Sequence, residues 1–292
     1  MILMPKPTKI ALIAAAVFLG GAYFLSGTVA LAATATSSAA SAQGADGATT
    51  PAGATTTVAS SSIPLVDTCG ISKNDIAAIA AIQADPSLTA SEEVVKELAL
   101  RKQLVAAVIA CAQGEVATLR TAVDGAPVAG SAGEAVRSSL NGRLDDAANF
   151  YALELGKLSN AGIAGTKAVA SEVLSWRQGT FAPLVGQAND YVLWAGNQSL
   201  FTTAATRMAE TQQAVSFLEN ASANSSLSSA FNAAYTSFET AQADNAAAQS
   251  ALQQSLPPDE TLGLIKKSLD ALQSTYTQFF TLSTIIQALL PQ

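Results

Sequence analysis

Apolar residues recur at alternating steps of four and three along two long stretches of this chain. Leu227, Phe231, Ala234, Phe238, Ala241, Asn245, Ala248 and Leu252 form one series. Leu262, Ile265, Leu269, Leu272, Tyr276, Phe279, Ser283, Ile286 and Leu290 form the other. A mean step of about 3.5 residues keeps every member on one side of an α-helix, ready to interlock with a second helix as in a coiled coil. The connection Ser255-Leu256-Pro257-Pro258-Asp259 is short, so the two helices are predicted to be antiparallel neighbours. Pro258 suits a helix start, where its missing N–H costs nothing, and Asp259 and Glu260 follow where the helix dipole favours acids. Asn245 and Ser283 interrupt the seams and read as polar residues that fix register.

The same logic extends upstream. A short helix is expected from Ser72 or Asn74, with Ile76, Ile79 and Ile82 along one side, ending at Asp85-Pro86. A long helix starts at Thr89 or Ser91 with Glu92 and Glu93 in its first turn, and runs to about Asp124. Val94, Leu98, Val105, Ile109, Ala112, Val116, Leu119 and Val123 make its stripe, and Gly125-Ala126-Pro127 stops it. A second occupies 132–159 through Val136, Leu140, Leu144, Ala147, Tyr151 and Leu158, with Gly162 available for a left-handed cap. Residues 165–220 read as one very long helix, continued by Leu184, Tyr191, Trp194, Phe201, Ala205, Met208, Val215 and Leu218. Proline removes a backbone hydrogen bond, so a kink or break is expected at Pro183. Alternation of period two is absent beyond a few residues. The fold class is all-α: about five long helices and one short N-terminal helix in an antiparallel bundle.

The beginning of the chain is of another kind. Lys6 and Lys9 precede a strongly apolar run, Ile10 to Leu25, and small residues surround Ala30-Leu31-Ala32. This is the secretory pattern, with cleavage expected after Ala32. The rival is an uncleaved anchor over residues 10–32, long enough to span a bilayer. Either reading places the rest outside the cytoplasm. Residues 33–62 are rich in Ser, Thr, Ala and Gly and cannot bury enough apolar area to order themselves, so they are expected to be a disordered linker. Residues 63–292 then form the bundle domain, with 63–71 extended at its start.

Cys69 and Cys111 are the only cysteines, and export favours a disulfide between them. They are not spaced as a redox or zinc motif.

Composition excludes several functions. The chain has no histidine, the side chain most used for acid–base catalysis and for metal ligation near neutral pH. A ferritin-like site needs Glu-x-x-His, and no serine-hydrolase, zinc-protease or calcium-loop motif occurs. Glu92-Glu93 and Asp145-Asp146 read as solvated acids rather than a glycosidase pair. No enzyme activity, cofactor or metal is therefore expected. Net charge is −7, which argues against nucleic acid and against a grip on anionic lipid. Three Asn-x-Ser triplets, at 197–199, 220–222 and 224–226, matter only in a eukaryotic secretory pathway, and the Ala-rich style is bacterial.

Trp176, Phe181, Tyr191, Trp194 and Phe201 cluster in sequence around Pro183. They read either as a ligand pocket at a helix break or as bulky residues that plug it. Three function classes follow. The first is a non-catalytic structural or interaction protein of the cell envelope or extracellular space, with an unidentified protein partner. The second is an extracytoplasmic small-molecule-binding bundle of the sensor kind. The third is a membrane-active helical toxin, for which Tyr276–Leu290 is the uncharged segment, although its seam favours a core role. Oligomeric state is open.

Overall fold

The computed structural model describes residue 69 and residues 72–128, 130–221 and 225–289. The expected export segment, the linker and the extended stretch apart from Cys69 lie outside these residues. The helices are α1 (Lys73–Gln83), α2 (Ala90–Gly125), α3 (Gly130–Ser159), α4 (Ile163–Trp176), α5 (Ala182–Ala221), α6 (Ser225–Gln253) and α7 (Pro258–Leu289). A single π-helical turn, Arg177–Phe181, joins α4 to α5. No strand occurs among the described residues, and the fold is the all-α bundle that the periodicity requires.

Local chemistry sets the helix starts. Ser72 accepts from the Asp75 N–H while the Asp75 carboxylate takes the Ser72 N–H at 2.9 Å. Thr89 and Glu92 form the same reciprocal box at the head of α2. Each box satisfies two of the backbone donors that a helix leaves open at its first turn. Gly162 does not serve as a left-handed cap. Its φ is −83°, and it is the residue that precedes α4, with its carbonyl accepting the Thr166 N–H. Among the described residues the left-handed turn positions are Gly130 and Ser255.

Two cores stack end to end. The first is built from α2, α3, α4, the first half of α5 and the base of the α6–α7 hairpin, with Ile109, Leu144, Tyr151, Tyr191 and Ile265 at its centre. The second is built from the far half of α5 together with α6 and α7, through Phe201, Met208, Leu227, Phe238, Leu272 and Leu282. Helix α5 has 40 residues, about 60 Å at 1.5 Å per residue, and runs through both. The second core is therefore a three-helix arm that extends from a larger body.

The expected seams hold in α3, where every named residue is buried, and in α6, where all are buried or half-buried. In α7 the seam is rotated. The buried row is Thr261, Ile265, Ser268, Leu272, Thr275, Phe279, Leu282 and Ile286, again at steps of four and three. Leu262, Leu269, Tyr276 and Ser283 flank it, half-buried. The reason is that three hydroxyls behave as small apolar residues. Thr261, Ser268 and Thr275 donate to the carbonyls of Pro257, Ile265 and Ala271, three or four residues back, so their polar atoms are satisfied by the local backbone. Small side chains there leave room for α6, whose Ala234, Ala241 and Ala248 are fully buried. Three further residues depart from expectation. Ile76 and Val94 face solvent, and Ala204 rather than Ala205 is buried. Near Val94 the buried position goes to Glu97, which Gln83 and Arg101 hold by hydrogen bonds.

Candidate functional site at the π-helical turn

Pro183 has no N–H to give the carbonyl four residues earlier, and its ring would crowd that carbonyl in a regular helix. The chain responds one turn upstream. The Ala182 N–H donates to the carbonyl of Arg177, five residues back, and the turn widens by one residue. The expected interruption is thus a π-turn, and helical hydrogen bonding continues through it. Such turns alter which side chains share a face and are frequent at functional sites.

Two sets of side chains converge on this turn. The first is aromatic. Phe150 stacks on Trp176 at 4.3 Å between centroids, and Trp176 lies nearly parallel to Phe181 at 5.9 Å. Tyr151 meets Trp176 and Phe181 edge-on, at 5.3 and 6.0 Å. The stack starts in the core at Phe181 and ends half-buried at Phe150. There it lines a shallow groove of about 660 Å³, together with Glu172, Ser175, Gly179 and Thr180.

The second set is charged. Arg177 Nη1 donates to Glu115 Oε2 at 2.8 Å, and Nη2 approaches Oε1 at 3.4 Å. Both side chains are largely buried, and the guanidinium also stands 5.7 Å from the Phe181 centroid. Burial works against the charge on Arg177, but the Glu115 carboxylate more than offsets it and the proton is held more tightly than usual. Burial pushes the Tyr151 phenol up to about 12, with Arg177 pulling the other way. The disulfide joins this group. Cys69 and Cys111 are bonded with Cα atoms 5.5 Å apart, and Glu115 Oε1 lies 3.1 Å from Cys69 Sγ.

The five aromatics singled out by sequence do not form one pocket. Trp176 and Phe181 belong to the stack just described. Tyr191 and Trp194 pair with each other at 6.3 Å in the first core. Phe201 lies in the second core and lines a separate groove of about 480 Å³ with Pro127, Val128, Ser199 and Thr202. A helix turns about 100° per residue, so neighbours in sequence around a proline diverge in space. The Asn197 amide nitrogen is buried without a hydrogen-bond partner among the described residues.

Sequence reasoning missed the polar members. Glu115 lies one turn beyond Cys111, a signal that was present but weak, and nothing local ties it to Arg177. Two more buried acids were also missed. Glu154 fills the α3 seam between Tyr151 and Leu158, with Lys157 on one oxygen at 2.5 Å. Asp190 on α5 is buried, and one of its oxygens has no hydrogen-bond partner among the described residues. No family model, curated protein or solved structure matches this chain.

Proposed function

We propose that this chain is an exported, non-catalytic helical-bundle protein of the cell envelope or extracellular space, and that its three-helix arm binds a protein partner. The observation that carries the reading is the surface of the arm. Across residues 208–238 and 271–289 the only charged side chains are Glu210 and Glu219, Ser228 donates to Glu219, and Arg207, over the Tyr276 ring, and Glu239, beside Tyr235, bound this charge-poor stretch. On this neutral surface Phe217 is 55% exposed, Tyr235 44% and Phe280 72%. Large aromatics in solvent on a charge-poor surface are the composition of an interface centre. Such a contact gains its energy from apolar burial and changes little with salt.

The test places a photo-crosslinking residue at exposed position 284, one turn from Phe280, in the full chain in envelope extract. One reproducible partner, lost in Phe280→Asp and Phe217→Asp and retained at high salt, is the expected result. Crosslinking that Phe280→Asp leaves unchanged would remove the arm as the interface. Leakage from lipid vesicles treated with the pure protein would instead favour membrane activity.

The groove beside Trp176 supports a second reading, a small-molecule-binding bundle. An aromatic stack ending in a groove with Ser175, Thr180 and Glu172 offers a flat apolar face edged by hydrogen-bonding groups. A thermal-shift screen with Trp176 fluorescence tests it, and no response across a metabolite library would set it aside.

A further inference from the structure

No described helix covers the outward face of α7. Gln273, Thr277, Phe280, Thr284 and Gln287 are all exposed there and follow steps of four and three. The buried row on the other side of α7 has the same spacing. Read in either direction, the outward row is glutamine, threonine, phenylalanine, threonine, glutamine. We propose that it is a dimer contact, on which α7 of a second copy of this chain lies antiparallel with Phe280 at the two-fold axis. The inference rests on the reading of the arm as an interface and names what covers it.

A two-fold contact must be self-complementary, because each residue meets its opposite number twice. Gln273 and Gln287 lie seven residues to either side of Phe280, and Thr277 and Thr284 lie three and four. An antiparallel copy therefore sets Gln273 opposite Gln287 and Thr277 nearly level with Thr284, with the two Phe280 rings meeting between them. A glutamine amide carries both a donor and an acceptor, so two can pair. The threonines present methyl groups, because their hydroxyls are already satisfied. Thr277 donates to the Gln273 carbonyl at 3.0 Å and Thr284 to that of Phe280 at 3.1 Å. The same device lets Thr275 pack in the core, where it donates to the Ala271 carbonyl. Phe280, 72% exposed, has the most apolar surface to gain from coverage.

Charge sets the direction. Residues 69–207 and 239–270, which include the body, carry 18 acidic and 13 basic side chains. Two such bodies repel. A parallel pair would set them side by side, whereas the antiparallel pair carries them to opposite ends and brings only the neutral rows together. The row is about 21 Å long at 1.5 Å per residue. A contact between two such rows is smaller than the about 800 Å² per partner of a standard stable interface, so the dimer forms and dissociates with concentration.

The experiment follows the mass of the pure full chain by sedimentation equilibrium from about 10 to about 500 µM, the range of a weak contact. In parallel, a photo-crosslinking residue at position 284 is activated in a mixture of isotope-labelled and unlabelled copies. The expected result is a monomer–dimer equilibrium, with cross-links that join the two kinds of copy and land near Thr277. Phe280→Asp weakens the dimer at least ~10-fold while circular dichroism is unchanged. Thr277→Lys combined with Thr284→Glu sets opposite charges against each other across the axis. That double variant dimerises more tightly than Thr277→Lys alone, and the difference shrinks at high salt. A chain that stays monomeric over the whole range would overturn the proposal, as would cross-links that join position 284 to position 284, the parallel arrangement. If the pure chain is monomeric but position 284 captures a different protein in envelope extract, self-pairing fails and the arm remains the interface. Capture in neither setting ends both readings.

Discussion

Pro258 at the start of α7 rests directly on Gly186 of α5: a β-carbon at position 186 would lie 2.5 Å from Pro258 Cγ and 2.7 Å from its Cβ. This contact sets how the hairpin base seats on the body. Next to it, Gln187 donates to the carbonyls of Ser255 and Leu256 at 2.8 and 3.1 Å, and Arg143 donates to Gln187. Glycine inside a helix ordinarily costs up to about 1 kcal/mol relative to alanine. Here the rigid proline ring reverses that sign. Gly186→Ala is expected to lower stability in urea by about 1–3 kcal/mol, the usual penalty of overpacking. Gly114 and Gly142 have nothing within 4 Å of an added β-carbon, so alanine at either position raises stability. An equal response of all three variants would show that the seat is not formed.

Asp190 predicts a pH dependence. Burial raises its carboxyl from 3.8 to about 7, with Asp259 adding to the rise and Lys266 opposing it. The folded state therefore holds this proton more tightly than the unfolded chain. The contribution of this carboxyl to stability is fully present below about pH 4, is lost as pH rises toward 7, and changes no further beyond, for a total on the order of 2–4 kcal/mol. Asp190→Asn should remove this component and leave the variant more stable than the parent at pH 8. Thermal melts across pH that superimpose for the two proteins would contradict it.

The disulfide closes a loop between residues 42 apart in sequence. Replacing both cysteines by serine should cost about 4 kcal/mol by the chain-entropy relation. Because α2 to α7 pack without it, far-ultraviolet circular dichroism at low temperature should be unchanged while the melting temperature falls. Loss of helix on reduction would mean that the staple holds the body together.

Asn245 and Gln198 exchange two hydrogen bonds, at 3.0 and 3.1 Å, where the arm meets the body. Asn245→Ala should cost about 1–2 kcal/mol, since it leaves a half-buried amide short of a partner. The double change to leucine should recover that stability but loosen the register of α6 on α5. Denaturation of the three variants measures the first effect, and engineered cysteine crosslinks at shifted positions measure the second. A double variant with native register would reduce the pair to an ordinary surface contact.

The sequence by itself determined the helices and most of their inward faces. Period-3.5 repetition in 227–252, the capping pairs Ser72/Asp75 and Thr89/Glu92, and proline and glycine at the connections act over one or two turns, so they are legible locally. Tertiary structure decided the rest. Which side of α7 turned inward depended on Thr261, Ser268 and Thr275 satisfying their hydroxyls on the local backbone beside an alanine-rich neighbour. The fate of Pro183 depended on a π-turn that places Arg177 against Glu115, 62 residues away in sequence. Buried charge and helix approach are settled by partners distant along the chain, and no local pattern encodes the free energy of that meeting.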